Sequence, residues 1–261
     1  MRLHMAPPDG DLHLLPAFLL STALLSSCKE APEPVQVAAA SDLTVAFEEL
    51  GQLFHAQTGQ KVTFSFAASG ALAKQLSQGA PFDVFAAANA SFVDSAVQSG
   101  ACDGASKARY ARGHVVAWSK SVKLQSLADL LGPKIKRIAI ANPEHAPYGK
   151  AAREALTKAG LWRKLESKIV QAENVRQALQ FAQTGNAEVA LVALSLVVSE
   201  SAGQKLAIDP ALHAPIDQTL VVCRHGKNVE GGRAFAMLVE SAQGQALLER
   251  YGFGSAEQIG K

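Results

Sequence analysis

The sequence predicts an α/β fold of two lobes built on mainly parallel sheets, and three observations carry that reading. At 261 residues the chain exceeds the roughly 100–200 residues of a single domain. Short β-rich runs alternate with helical patterns along most of it, which is the grammar of βαβ units whose sheets are covered on both faces. Hydrophobic residues make up 48% and charged residues 18%, enough apolar material to fill the cores of such a fold and too much for a disordered chain.

The elements follow in order. An apolar stretch from Leu12 to Leu25 is shorter than the roughly 20 residues a membrane-spanning helix needs, and it ends at small residues, so residues 1–28 read as an export signal. Only Arg2 supplies a positive charge ahead of it, while Asp9 and Asp11 oppose one, so the true start is placed at Met5 or later. The stretch closes on Leu25-Ser26-Ser27-Cys28, which looks like a bacterial lipobox, in which the cysteine is lipidated and becomes the mature N-terminus. The alternative is a cut near Ser27 that leaves Cys28 a spare thiol. Residues 29–34 form a tether.

VQVAAA from Val35 is the first strand, followed by a helix whose Leu43, Phe47, Leu50 and Phe54 recur at helical spacing. VTFSF from Val62 leads to a helix carrying Leu72 and Leu76. FDVFAA from Phe82 leads to one carrying Phe92, Val93, Ala96 and Val97. The pattern continues through HVVAW from His114, RIAIA from Arg137, KIVQ from Lys168, VALVAL from Val189 and TLVVC from Thr219.

Several functions are excluded or disfavoured by composition. The net charge is +2, and Lys and Arg are scattered rather than gathered into the basic face that nucleic acid requires. There is no G-x-G-x-x-G, P-loop, H-E-x-x-H or G-x-S-x-G motif, and none of the seven His lies at i, i+4 from another or beside a cysteine. Neither an enzyme nor a cofactor is expected. Cys102 and Cys223 are too far apart for a zinc or Cys-x-x-Cys signature. An exported chain permits a disulfide between them, and the sequence leaves open whether they meet.

Small or hydroxyl-bearing residues stand where strands end and helices begin: Ser41 after VQVAAA, Ser69 and Gly70 after VTFSF, the loop NPEHAPYG from Asn142 after RIAIA, and Glu173-Asn174-Val175 after KIVQ. Helix N-termini present unpaired N–H groups and a positive dipole end, and together these hold an anion without a charged side chain. In open α/β sheets, ligands sit beyond the carboxyl ends of strands, where these junctions fall. Read singly, Ser41 or Asp42, Ser69 and Asn174 are also ordinary N-caps.

These same residues carry a resemblance. AAASDLTVAFEEL from Ala38, VTFSFAASGALAKQLSQGAPFDVFAAA from Val62, NPEHAPYGKAAREAL from Asn142, AENVRQALQF from Ala172 and ERYGF from Glu249 are similar, in order, to the periplasmic molybdate-binding proteins of ABC transporters. The resemblance implies a type II periplasmic binding fold, with two α/β lobes joined by two crossovers around a cleft. Lobe one is then assigned residues 35–117 plus 223–261, and lobe two residues 118–222.

The resemblance further implies an exported solute-binding component of an ABC importer, periplasmic or on the cell surface. It would be a monomer, tethered to the membrane through Cys28 and serving a permease with its ATPase. Its ligand would be a small oxyanion, molybdate or tungstate foremost, with sulfate, phosphate or a small organic anion as alternatives. Carried over by motif, Ser41 and Ser69 would act from lobe one, and the backbone N–H groups of Tyr148 and Val175 from lobe two. A ferric-binding protein is disfavoured, because Tyr110, Tyr148 and Tyr251 include no adjacent pair. An exported enzyme or a sensor domain would be a different class.

Two positions depart from the family pattern. Asp42 inserts an acidic residue at the binding turn and is expected to point away and cap the helix. Ala193, followed by Leu194 and Ser195, stands where the family has a tyrosine; the hydroxyl of Tyr148 is the candidate replacement, its alternative being a tyrosine packed on the hinge or rim. Arg176 and Lys150 are expected to pair with Glu173, Glu144 or Asp83 rather than to ligate the anion.

Overall fold

In the computed structural model, which describes residues 33–255, the alternation read from the sequence is realised as two sheets with helices packed on them. The export signal, Cys28 and most of the tether lie outside the described residues. In chain order, β1 (Val35–Ala40) passes through a 3-10 turn at Ser41–Leu43 into α1 (Thr44–Thr58). There follow β2 (Val62–Ala67), α2 (Ser69–Ser77), β3 (Val84–Ala87), α3 (Ala90–Gln98) and β4 (Ala108–Gly113). The next group is β5 (Val115–Ser119), β6 (Ile138–Ala141), α4 (Pro147–Lys158), α5 (Trp162–Leu165), β7 (Ile169–Ala172) and α6 (Val175–Gln183). The chain ends with β8 (Val189–Ala193), β9 (Gln204–Ala207), β10 (Ile216–Val222), α7 (Val229–Glu240), α8 (Ala242–Arg250) and β11 (Gly254–Ser255).

The first sheet runs β11-β4-β10-β3-β1-β2 and the second β7-β6-β8-β5-β9. Each has a parallel heart: β1 pairs in parallel with β2 and β3, and β6 with β7 and β8. Antiparallel strands are added where the chain changes lobe, since β10 pairs antiparallel with β3 and β4, and β5 with β8 and β9. The sheets are therefore mixed where mainly parallel ones were expected. The reason is local: a strand that enters or leaves a lobe by a direct crossover has no helix to reverse its direction.

Those crossovers fall at His114, between β4 and β5, and between β9 and β10. Thus β5 belongs to the second sheet from Val115, and β10 to the first sheet from Ile216, so both sheets change hands before the boundaries at residues 118 and 223 drawn from the sequence. The return of the C-terminal helices to the first lobe has a clear packing cause. Phe235 on α7 meets Phe47 and Phe54 of α1 edge-on, with ring centroids 5.8 and 5.7 Å apart, and is fully buried. Truncating it to alanine is expected to cost about 3–5 kcal/mol of unfolding free energy, measured by urea denaturation.

Cys102 and Cys223 do meet. They form a disulfide across an isolated antiparallel bridge between the segment after α3 and the end of β10.

Candidate functional site

All four strand-to-helix junctions converge on one place between the lobes. The 3-10 turn after β1 brings Ser41 and Asp42, and the start of α2 brings Ser69. From the other lobe, α4 presents Ala146, Pro147 and Tyr148, and α6 presents Val175; with Ala40 and Ala88 these residues line a small cavity of about 10 Å³. That is smaller than the roughly 300–1,000 Å³ of pockets for organic ligands. No Lys, Arg or His lines it.

The donors follow from helix geometry. Pro147 occupies the first turn of α4, where its missing N–H costs nothing. The first N–H of that helix to find an intrahelical acceptor is that of Lys150, bonded to the Ala146 carbonyl at 3.0 Å, so the N–H of Tyr148 has no intrahelical acceptor. In α6, Asn174 is the N-cap and its side chain accepts from the Gln177 N–H at 3.0 Å, while the N–H of Val175 is left without an intrahelical partner.

Ser69 is not a cap. Its hydroxyl oxygen accepts from the Ala88 N–H at 3.1 Å, which leaves the hydroxyl proton to donate. Ser41 is 3% exposed, and its hydroxyl makes no hydrogen bond among the described residues. Two serines and two helix N-termini, drawn from both lobes, therefore line one small cavity. The lobes also touch through hydrogen bonds across the cleft, from the Gly70 N–H to the His145 carbonyl at 3.0 Å and from the Ser195 hydroxyl to the Asp42 carbonyl at 2.7 Å.

Asp42 overturns the expectation set for it. It does not cap α1, which has no side-chain cap; it is buried, lines the cavity, and its Oδ2 accepts from Gln218 Nε2 at 2.6 Å. Burial raises its pKa to about 7, against smaller lowering effects from its own backbone N–H, Gln218 and Tyr148. The Tyr148 hydroxyl sits beside this carboxyl without a well-formed hydrogen bond, and is wedged against Gly113 at the first crossover, where an added Cβ would lie 2.1 Å from it. Tyr148 thus brings its backbone to the cavity and its ring to the hinge. Ala193 does not line the cavity; Ser195, two residues on, makes the cross-cleft bond instead.

The expected ion pairs are also redrawn. Lys150 pairs with Glu154 at 4.0 Å and Glu144 with Arg153 at 2.8 Å. Asp83 accepts from the backbone N–H groups of Gln36 and Asn228, each at 2.7 Å. Arg176 makes no ion pair among the described residues and lines a wider hollow of the cleft next to Ser41.

A family profile described as bacterial extracellular solute-binding protein matches residues 35–254. The chain belongs to this family. The molybdate-binding protein ModA of Rhodobacter capsulatus is 34% identical over 238 residues, covering 91% of this chain and 93% of its own. ModA of Azotobacter vinelandii is 35% identical over 241 residues, covering 90% and 95%. The solved structure of the Azotobacter vinelandii periplasmic molybdate-binding protein superposes with a TM-score of 0.80 at 29% identity, covering 84% of this chain and 98% of that one. The two-lobe periplasmic binding fold expected from the sequence is therefore the fold of this solute-binding protein.

Proposed function

We propose that this solute-binding protein captures a tetrahedral oxyanion, molybdate or tungstate, and delivers it to the permease and ATPase of an ABC importer while anchored to the membrane by lipid on Cys28. The observation that carries the reading is the cavity itself: donors from Ser41, Ser69, Tyr148 and Val175, contributed by both lobes, with no cationic side chain among the lining residues. A site of this kind holds charge by aligned hydrogen bonds and helix dipoles. The similarity to proteins described as molybdate-binding supports the same ligand class. The lipid anchor rests on the Leu25 to Cys28 segment alone.

One observation favours a second reading. Hydrogen phosphate carries a proton that a site of donors alone would leave buried without an acceptor, at a cost of about 1–3 kcal/mol. Asp42 brings an acceptor to the residues that line the cavity. A thermal-shift screen against molybdate, tungstate, sulfate, phosphate and citrate separates the two. A ligand present at 100 times its Kd should add about 2.7 kcal/mol, or roughly 5–10 °C in Tm for a chain of this size. Molybdate and tungstate are expected to give that shift, and phosphate none. A larger shift with phosphate would move the assignment to phosphate, and no shift with molybdate or tungstate would end it.

A further inference from the structure

We propose that Asp42 is a proton-linked specificity residue: the carboxyl takes up one proton from bulk water when the dianion enters, and binds it as a neutral acid. The inference rests on the oxyanion reading above and deepens it. Its geometry is a buried polar cluster against the cavity wall, made of Asp42 from the 3-10 turn, Gln218 from β10, Tyr148 from α4 and Tyr110 from β4. Three atoms in this cluster, Tyr110 Oη, Tyr148 Oη and Gln218 Oε1, are buried without a hydrogen-bond partner. So much unspent hydrogen-bonding capacity around one carboxyl is costly in a static core, and it is what a group that changes protonation state would need nearby.

The charges around Asp42 leave few alternatives. The titratable groups that face it are the hydroxyls of Tyr148 and Tyr110, both neutral at ordinary pH and both pushed further from ionisation by burial and by Asp42 itself. Of the elements packed on the 3-10 turn, α1 contributes Glu48 and α6 contributes Arg176, and both line the wider hollow outside; β2 carries no titratable side chain, and the turn after β8 contributes the Ser195 hydroxyl. A dianion placed in the same cavity as an ionised, uncompensated carboxylate meets repulsion in a medium of low dielectric. Protonation removes it. With Oδ2 occupied by Gln218 Nε2, Oδ1 is left to carry the proton, and the acid becomes one more donor on the wall.

The sign of the pH effect follows. In the anion-free protein Asp42 titrates at about 7, and a bound dianion raises that value further. Below pH 7 both forms hold the proton and affinity is flat. Above it, the bound form holds a proton that the free form has lost, so affinity falls as pH rises, by up to about tenfold per pH unit. Hydrogen phosphate would behave differently, because it brings its own proton to the carboxylate.

The test is calorimetric titration of the full chain with molybdate and with tungstate at pH 6 and pH 8.5, each in two buffers of different ionisation enthalpy so that protons are counted. The expected result is uptake approaching one proton per anion at pH 8.5, close to none at pH 6, and a Kd about tenfold or more weaker at the higher pH. Asp42→Asn, which holds two N–H hydrogens permanently, should lose both the uptake and the slope. The proton count on the unaltered protein decides the first half without any variant. Tight, pH-independent binding with no proton uptake would overturn the inference and leave the oxyanion reading standing, as would an unchanged slope in Asp42→Asn. Absence of binding at both pH values overturns both.

Discussion

Replacing Cys102 and Cys223 together by alanine is expected to lower the free energy of unfolding by about 2–5 kcal/mol. The bridge joins residues 121 apart in sequence, and the loop it closes contains β4 through β10, so both crossovers and the whole second sheet lie inside it. Breaking it releases the unfolded chain into a much larger set of conformations, an effect that grows with loop length. The folded state has less to lose. The backbone around both cysteines is already held by hydrogen bonds, from the Cys223 N–H to Asp83, from Asp103 to Val222 and from Arg224 to Ala101, each 2.8 Å long. Urea denaturation of the protein with and without reductant, and of the double variant, measures the change. The slope with denaturant should rise as well, since the uncrosslinked unfolded state exposes more surface. A loss below about 1 kcal/mol would overturn the chain-entropy account of this bridge.

How much of this was legible beforehand depends on where the information sits. The parallel hearts of both sheets were readable because β3, β6 and β8 are buried along their whole length, β1 everywhere but at Gln36, and their sequences are nearly all apolar. The strands missed were of another kind. β4 reads ARYARG, and its charges are accommodated because Arg112 and Arg109 reach Asp217 on the neighbouring β10, at 2.9 and 3.6 Å. β9 reads QKLA and is an exposed edge, where a lysine is normal and an apolar signal is absent. The two-residue β11 is too short to leave any pattern.

The site divides in the same way. The four junctions that hold Ser41, Ser69, Tyr148 and Val175 could be picked out because a strand end followed by a helix start is a local event, visible in a dozen residues, whereas the choice of these residues within them came from the resemblance. Their meeting in one cavity required the fold, but the family pattern had already implied it. Asp42 was misread because its partners are distant: Gln218 lies 176 residues away, and only the folded chain shows that this side chain faces inward. As a capping residue Asp42 was an ordinary inference from composition. Burial between β10 and the hinge outweighed it. The Cys102–Cys223 pair belongs with Asp42, since no local signal reports a contact made across half the chain.

Gly149→Ala is expected to weaken molybdate binding by about 10- to 150-fold, the loss of one or more N–H donors to a buried anion at roughly 1.5–3 kcal/mol. Gly149 is the third residue of α4, directly after Tyr148, and an added Cβ would lie 2.1 Å from the Ala141 carbonyl oxygen and 2.6 Å from its carbon. Both are backbone atoms at the end of β6, so no rotamer change relieves the clash. In open space the substitution would stabilise a helix by about 1 kcal/mol; here the helix start must lift away from the strand, and the Tyr148 N–H moves with it. The cavity is small, about 10 Å³, so a shift of a few tenths of an ångström is a large fraction of any donor's reach. Stability should fall by about 1–3 kcal/mol as well. The two effects are separable, because binding is measured by calorimetry well below the melting transition, where the variant is still folded. Parent-like affinity in a folded Gly149→Ala protein would remove the N-terminus of α4 from the proposed binding site and leave Ser41, Ser69 and Val175 as its candidate donors.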